Sequence, residues 1–217
     1  MQKENEKGCC IIYLVRHGET EWYAKNITQG QSNESSLSEI GIRQAKNLGD
    51  KLKQIKFHAI FSSDLSRAYK TAEIIKLDRK IEIQKSKLLR ERSHGIFEGK
   101  HVDVMKNSLK DKLKERESLS DKEYHSFKLA SFIETDEELV ARFIKQLREI
   151  AKTYLNKSVL VVTHGGCIKN FLIQIDYADR KTLSSGSFKH GGYVKVLSDG
   201  VNFFVKEVEG IRKPEGG

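Results

Sequence analysis

A chain of 217 residues with 38% hydrophobic residues can bury one substantial core, and no Pro/Gly/Ser-rich linker divides it, so one domain over 1–217 is expected. The net charge of +9 raises nucleic acid as a partner, but acids interrupt the densest basic run, 106–116, and Leu109 and Leu113 at i and i+4 give it the pattern of a helix with one apolar stripe and a solvated face; the positive field suits recruitment of anionic esters instead. Three cysteines, Cys9, Cys10 and Cys167, form no disulfide framework, and the polar stretch 1–7 precedes an apolar segment too short for a signal or a membrane span, so a cytoplasmic protein with no membrane contact is expected.

The first element is the apolar run Ile11-Ile12-Tyr13-Leu14-Val15, a strand covered on both faces, which delivers Arg16-His17-Gly18-Glu19 to its carboxyl end. A helix is predicted over 37–55, where Leu37, Ile40, Ala45, Leu48, Leu52 and Ile55 recur at near-helical spacing. Ala59-Ile60-Phe61 reads as a second strand, followed by a helix over 64–76 with Asp64 as N-cap and Arg67 in its first turn. Residues 80–84 alternate as a third strand. Residues 93–133 lack a strand rhythm and are assigned to a helical lid inserted over a pocket. Thr135 with Glu138 forms a capping-box signature that opens a helix to about Leu155, with Leu139, Phe143, Leu147 and Ile150 on its apolar face. Val159-Leu160-Val161-Val162 runs into Thr163-His164-Gly165-Gly166 and then a helical pattern over 167–172. Residues 193–197 and 203–208 close as an antiparallel hairpin around Asp199-Gly200. This alternation predicts an α/β fold, a three-layer αβα sandwich with a mostly parallel central sheet, one antiparallel edge and the lid insertion.

Three strand ends thus present Arg16 and His17, Arg67, and His164, two arginines and two histidines that suit a dianion. Phosphoryl transfer demands in-line attack and stabilisation of charge on the equatorial oxygens, so positioned cations matter most. The forked guanidinium groups of Arg16 and Arg67 suit a clamp on those oxygens; His164 and backbone amides near Gly165 at a helix start would add donors. Cys10 and Arg16 match the Cys-x5-Arg spacing of cysteine-dependent phosphatases, but the intervening residues form a strand that separates them by about 20 Å at roughly 3.3 Å per residue. Cys10 is therefore read as core or strand edge, and Cys9 and Cys167 as small buried hydrophobes. His58, His94, His101, His125 and His190 show no metal-ligand spacing, so neither metal nor cofactor is expected. His94, beside Glu91, is a candidate for substrate contact, and His190 is placed at the site rim on a loop.

Over 11–197 the chain resembles the histidine phosphatase superfamily, the phosphoglycerate-mutase-like enzymes. The resemblance is carried by Arg16-His17-Gly18-Glu19-Thr20; Gln29-Gly30-Gln31, then Leu37-Ser38 and Gly41 with Gln44-Ala45; Ser62-Ser63-Asp64-Leu65 with Arg67-Ala68 and Thr71-Ala72; Glu91 with Gly95 and Phe97-Glu98-Gly99; and Thr163-His164-Gly165-Gly166. It implies that His17 attacks phosphorus and becomes a phosphohistidine, its other ring nitrogen held by a backbone carbonyl. It further implies that Glu91 serves as proton donor, and that Arg16, Gly18, Gln29, Gly30, Arg67, Glu91, His164 and Gly165 surround the substrate. Glu91's competing role is an ion pair with Arg90 or Arg92.

The chain departs from the family at Tyr23, where many relatives carry Asn, and at Ile133-Glu134-Thr135-Asp136-Glu137, where a Gly-Glu-Ser element is common. Gln29-Gly30-Gln31 replaces the Cys-Gly-Trp of the mutases, and 101–120 has no adjacent arginines. The expected activity is therefore metal-independent hydrolysis of a small phosphorylated metabolite. The alternatives are a cofactor-dependent phosphoglycerate mutase, or a catalytically weak phosphate-ligand or protein-binding module. No nucleic-acid partner is expected, and a homodimer stays open.

Overall fold

The computed structural model describes residues 7–183 and 186–211; most of the polar leading stretch, residues 1–6, lies outside them. Six strands, β1 (Cys10–Arg16), β2 (Phe57–Ser63), β3 (Ile83–Ser86), β4 (Ser158–Thr163), β5 (Phe188–Ser198) and β6 (Phe203–Ile211), form one sheet in the order β3-β2-β4-β1-β5-β6. The first four run parallel, β5 pairs antiparallel with β1, and β6 pairs antiparallel with β5. The mostly parallel sheet with an antiparallel edge follows from the near-continuous apolar strands 11–15 and 159–162, which need cover on both faces.

That cover comes from two pairs of helices. On one face α2 (Glu39–Lys51) and α3 (Ser66–Lys76) bury Leu48, Ala68, Ala72 and Ile75 against Tyr13, Val15, Ile60, Leu160 and Val162. On the other, α7 (Asp136–Thr153) and α8 (Gly165–Gln174) pack Leu139, Phe143, Leu147, Ile168 and Phe171 against Ile12, Leu14, Phe61, Val159 and Val161. Successive strand residues point to opposite faces, so one apolar strand feeds both cores. Among the described residues no helix is long and apolar enough to cross a membrane.

Several boundaries differ from the sequence expectation. The helix expected over 37–55 is shorter, because the Ser38 side chain accepts the Gly41 N–H and starts the helix there. The third strand is Ile83–Ser86 rather than 80–84. Asp64 does not cap α3: both its carboxylate oxygens accept from Arg90, at 2.7 and 2.6 Å, and Leu65 occupies the cap position without a side-chain bond. The Thr135–Glu138 capping box forms as expected at the start of α7.

Residues 93–133 hold a 3₁₀ turn at Gly95–Phe97 and three short helices, α4 (Val102–Ser108), α5 (Lys110–Glu117) and α6 (Asp121–Ser126); a four-residue helix, α1 (Glu21–Ala24), lies earlier in the chain. The basic run is not one solvated helix. Leu109, at φ −111° and ψ 14°, breaks it in two, and Arg116 is buried. Cys10 and Cys167 are fully buried and Cys9 only partly, so Cys9 is not the core residue expected. Burial pushes the Cys10 thiol up to about 12, a setting for an inert thiol rather than a nucleophile.

Candidate active site

The site is set by the pairing of β1 with β4. Their parallel register places Arg16 opposite Thr163, and the His17 N–H continues it by donating to the Thr163 carbonyl at 3.0 Å. His17 and His164 therefore leave neighbouring strands at the same level, with ring centroids 5.0 Å apart and planes at 66°. The connections from these strands depart to opposite faces, through α2 and through α8, which opens a crevice beyond the strands' carboxyl ends.

His17 is 4% exposed, and its Nδ1 lies 2.7 Å from the Gly18 carbonyl oxygen. A carbonyl only accepts, so Nδ1 carries the proton and Nε2 keeps its lone pair. Burial pushes the imidazole pKa well below the usual 6.5, and the neighbouring His164, Arg67, His190 and Arg16 push it the same way. The loop is braced from α2 and α3: the Gly18 N–H donates to Thr71 Oγ1 at 3.1 Å, the Glu19 N–H to Gln44 Oε1 at 2.9 Å, and Ser38 Oγ to Glu19 Oε1 at 3.1 Å. Gly41 makes this approach possible, because a Cβ there would stand 2.0 Å from the Glu19 carbonyl oxygen.

Arg16 donates to the Phe188 carbonyl and, at 2.8 Å, to His190 Nε2. A guanidinium has no acceptor, so His190 presents its lone pair to Arg16. His190 lies on β5 rather than on a loop at the rim, with its ring 5.5 Å from His17. Tyr23, in the place of the expected Asn, sets its ring edge-on to His190 at 4.3 Å and lies 5.6 Å from the Arg16 guanidinium carbon.

Arg67 is 1% exposed and donates to the Gly30 carbonyl at 2.7 Å and the Ser32 carbonyl at 2.9 Å, which fixes the loop after Gln29; Gln29 in turn accepts from Thr20 Oγ1 at 3.0 Å. Burial lowers the Arg67 pKa to about 10, with the guanidinium still cationic at neutral pH, and its Nε has no partner. His164, fully buried at the N-cap of α8, has no partner for either ring nitrogen. Burial and the charge of Arg67 hold it neutral, well below its usual pKa. Buried polar atoms left unsatisfied in this way are costly.

Glu91 is not part of an arginine ion pair: Arg90 is taken by Asp64 and Arg92 by Asp136. Its Oε2 accepts the Gly166 N–H at 2.9 Å and its Oε1 the Arg92 N–H at 2.8 Å, so the start of α8 positions the carboxyl. Gly165 and Gly166 line the same cavity as Arg16, Glu91 and His94, a space of about 410 Å³. His94 is half-buried and its Nδ1 lacks a partner.

Other lining residues were missed by sequence reasoning: Arg92, Arg116, Tyr124, Asp136, Lys169 and Asn170. Arg92 and Arg116 (the latter at 2.7 Å) donate to opposite oxygens of Asp136, and His125 Nδ1 lies 3.2 Å from that carboxylate. The only sequence signal was an acid in the first turn of α7, which any helix N-terminus favours. Among the described residues no group of three or more His, Cys, Asp and Glu side chains gathers in a way that could hold a metal ion.

Comparison with known proteins identifies the family. The family model described as histidine phosphatase superfamily (branch 1) matches residues 12–209. An uncharacterized phosphatase PhoE of Bacillus subtilis is 32% identical over 174 residues, 80% of this chain and 81% of its own length. A metal-independent phosphoserine phosphatase of Arabidopsis thaliana is 35% identical over 169 residues, 77% and 69% of the two chains. Among solved structures, a phosphoglycerate mutase from Bacillus anthracis superposes with a TM-score of 0.81 at 26% identity, covering 96% of each chain.

Proposed function

The chain belongs to the histidine phosphatase superfamily, and on that premise we propose that it is a metal-independent phosphomonoesterase that hydrolyses a small phosphorylated metabolite through a phosphohistidine on His17. The observation that carries this reading is the His17 imidazole itself, buried, neutral, anchored through Nδ1 to the Gly18 carbonyl, and facing His164 and Arg67, whose ring nitrogens and Nε are unsatisfied.

His17 Nε2 attacks phosphorus as the bond to the ester oxygen breaks. Arg16, Arg67, His164 and the Gly165 amide at the start of α8 stabilise charge on the equatorial oxygens. Glu91, as the carboxylic acid, gives its proton to the leaving alkoxide. Each carboxyl oxygen accepts one backbone N–H and keeps a second lone pair, and one of these carries that proton. In the second half the Glu91 carboxylate takes a proton from water, whose oxygen attacks phosphorus; the phosphorus–nitrogen bond breaks, orthophosphate leaves, and His17 and the Glu91 acid are restored. The helices over 93–133 act as the lid, and their side chains select the ester. The protein works as one domain in the cytoplasm.

The test is phosphate release from a panel of phosphomonoesters, with and without a chelator, for wild type and His17→Ala. The reading expects chelator-resistant release, an acid-labile phosphoenzyme in wild type, and neither in His17→Ala. Normal turnover by His17→Ala refutes the mechanism. Isomerisation of 3-phosphoglycerate without net phosphate release assigns the chain to the mutases instead.

A further inference from the structure

The ladders of β5 are interrupted where it carries His190. β5 pairs with β1 only as far as Tyr193 opposite Val15, and against β6 its register passes from Phe188 opposite Ile211 to Tyr193 opposite Glu209, so residues 189–192 stand against Gly210 alone. A bulge of this kind re-aims the side chains within it. Its glycines make it possible: Gly191 has φ +70°, and a Cβ on Gly192 would lie 2.6 Å from the Glu209 carbonyl oxygen. Gly191 also packs beside Gln44 of α2, the residue that accepts from the Glu19 N–H. The bulge is therefore braced by the same helix as the His17 loop, and it brings His190 Nε2 to 2.8 Å from a terminal nitrogen of Arg16.

Both terminal nitrogens of Arg16 are held by acceptors from this one segment, Nη1 by the Phe188 carbonyl and Nη2 by His190. A planar fork fixed at both tips has its orientation set, whereas one held at a single tip pivots. Both acceptors are neutral. A carboxylate in place of either would fix the fork equally well but would offset the charge that a phosphoryl group has to meet. Tyr23 closes another side of the imidazole, with centroids 4.3 Å apart and planes at 76°, which limits rotation of that ring away from Arg16. We infer that His190 is a positioning residue for phosphoryl transfer, a neutral acceptor that Tyr23 packs in place and that sets the Arg16 fork toward the phosphoryl oxygens. The inference rests on the phosphatase reading for what Arg16 grips. His190 acts through Arg16, because its Nε2 lone pair is committed to the guanidinium and a proton there would oppose the Arg16 N–H.

The experiment compares affinity for inorganic phosphate by phosphorus NMR titration, which reads weak binding and needs no turnover, alongside kcat/KM for a phosphomonoester that the wild type hydrolyses. His190→Phe keeps a ring against Tyr23 but removes the acceptor, and His190→Leu removes both. Each is expected to weaken phosphate binding and kcat/KM by about tenfold or more, because a loosened fork loses charge-assisted hydrogen bonds to the phosphoryl oxygens. His190→Gln, whose Oε1 accepts where Nε2 did, stays within about threefold of wild type on both measures. Tyr23→Leu gives a smaller loss that disappears in the His190→Leu protein, since a residue that works through another has nothing left to do without it. By the same logic His190→Phe changes phosphate affinity by no more than about twofold in the Arg16→Met protein. Wild-type affinity in both His190→Phe and His190→Leu, a His190→Gln protein as weak as His190→Phe, or a His190→Phe loss that persists undiminished in Arg16→Met overturns the inference; the last result assigns His190 to the phosphate itself. Turnover that survives in His17→Ala, or no turnover of any ester, refutes the hydrolase reading separately, because phosphate affinity and its dependence on His190 are read without catalysis.

Discussion

Replacing Asp136 by Asn tests whether one carboxylate ties α7 to the helices over the cavity. Asp136 is 7% exposed as a side chain, and its guanidinium partners Arg92 and Arg116 are 13% and 9% exposed, so solvent screens little of their interaction. The amide keeps the shape but removes the charge that two buried guanidinium groups share, and breaking such a buried pair from one side costs about 3–5 kcal/mol. For a chain of this length each kcal/mol lowers the melting temperature by roughly 2–4 °C, so Asp136→Asn is expected to melt about 6–20 °C below wild type. The pH dependence has a definite sign. Burial raises the Asp136 pKa, but the His125 hydrogen bond and the charges of Arg92 and Arg116 outweigh it and hold the folded-state value well below the usual 3.8. The stabilisation is therefore fully present above the unfolded pKa and is lost as pH falls toward the folded one. Thermal melts followed by far-ultraviolet circular dichroism should show a constant gap between wild type and variant from neutral pH down to about pH 5, narrowing below about pH 4. A gap under about 2 °C at neutral pH, or one that fails to narrow in acid, refutes the claim that this carboxylate is a charged hub.

Gly41→Ala forces a Cβ to within 2.0 Å of the Glu19 carbonyl oxygen, a backbone atom that cannot move without shifting the His17 loop; denaturant titration should show a loss of about 1–3 kcal/mol or more together with loss of phosphate release, and an unchanged protein contradicts the packing described. Gly166→Ala places a Cβ 2.2 Å from Glu91 Oε1; kcat for an alkyl phosphate should fall by about a hundredfold or more, and for p-nitrophenyl phosphate much less, because its leaving group needs no acid. Equal losses on both esters count against Glu91 as proton donor. Burial depresses the pKa of His17 and of His164, so neither imidazole resonance should titrate near 6.5 in an NMR pH series. Because the unfolded chain takes up these protons first, the two rings make stability fall as pH drops below 6.5. Either ring titrating at 6.5 or above shows that it is solvated rather than buried.

The sequence by itself determined the elements and the ends at which the chemistry sits. The runs 11–15 and 159–162 became β1 and β4, and the capping box at Thr135 and Glu138 opened α7 as expected, because strand periodicity and caps depend on neighbours only a few residues away. The same local logic placed His17 and His164 at strand ends. Only the tertiary structure decided that those strands are neighbours, 147 positions apart in sequence for the facing pair Arg16 and Thr163, which turns two separate histidines into one site. It also decided the fate of charges whose partners are remote. Asp64 reads locally as a helix cap but is claimed by Arg90, Arg116 reads as one more solvated cation but is buried against Asp136, and Lys169 carries no mark in its own helix that it faces a cavity without a partner. A charge adopts the partner that folding brings near it, and burial then sets its strength; neither quantity is written in the residues beside it.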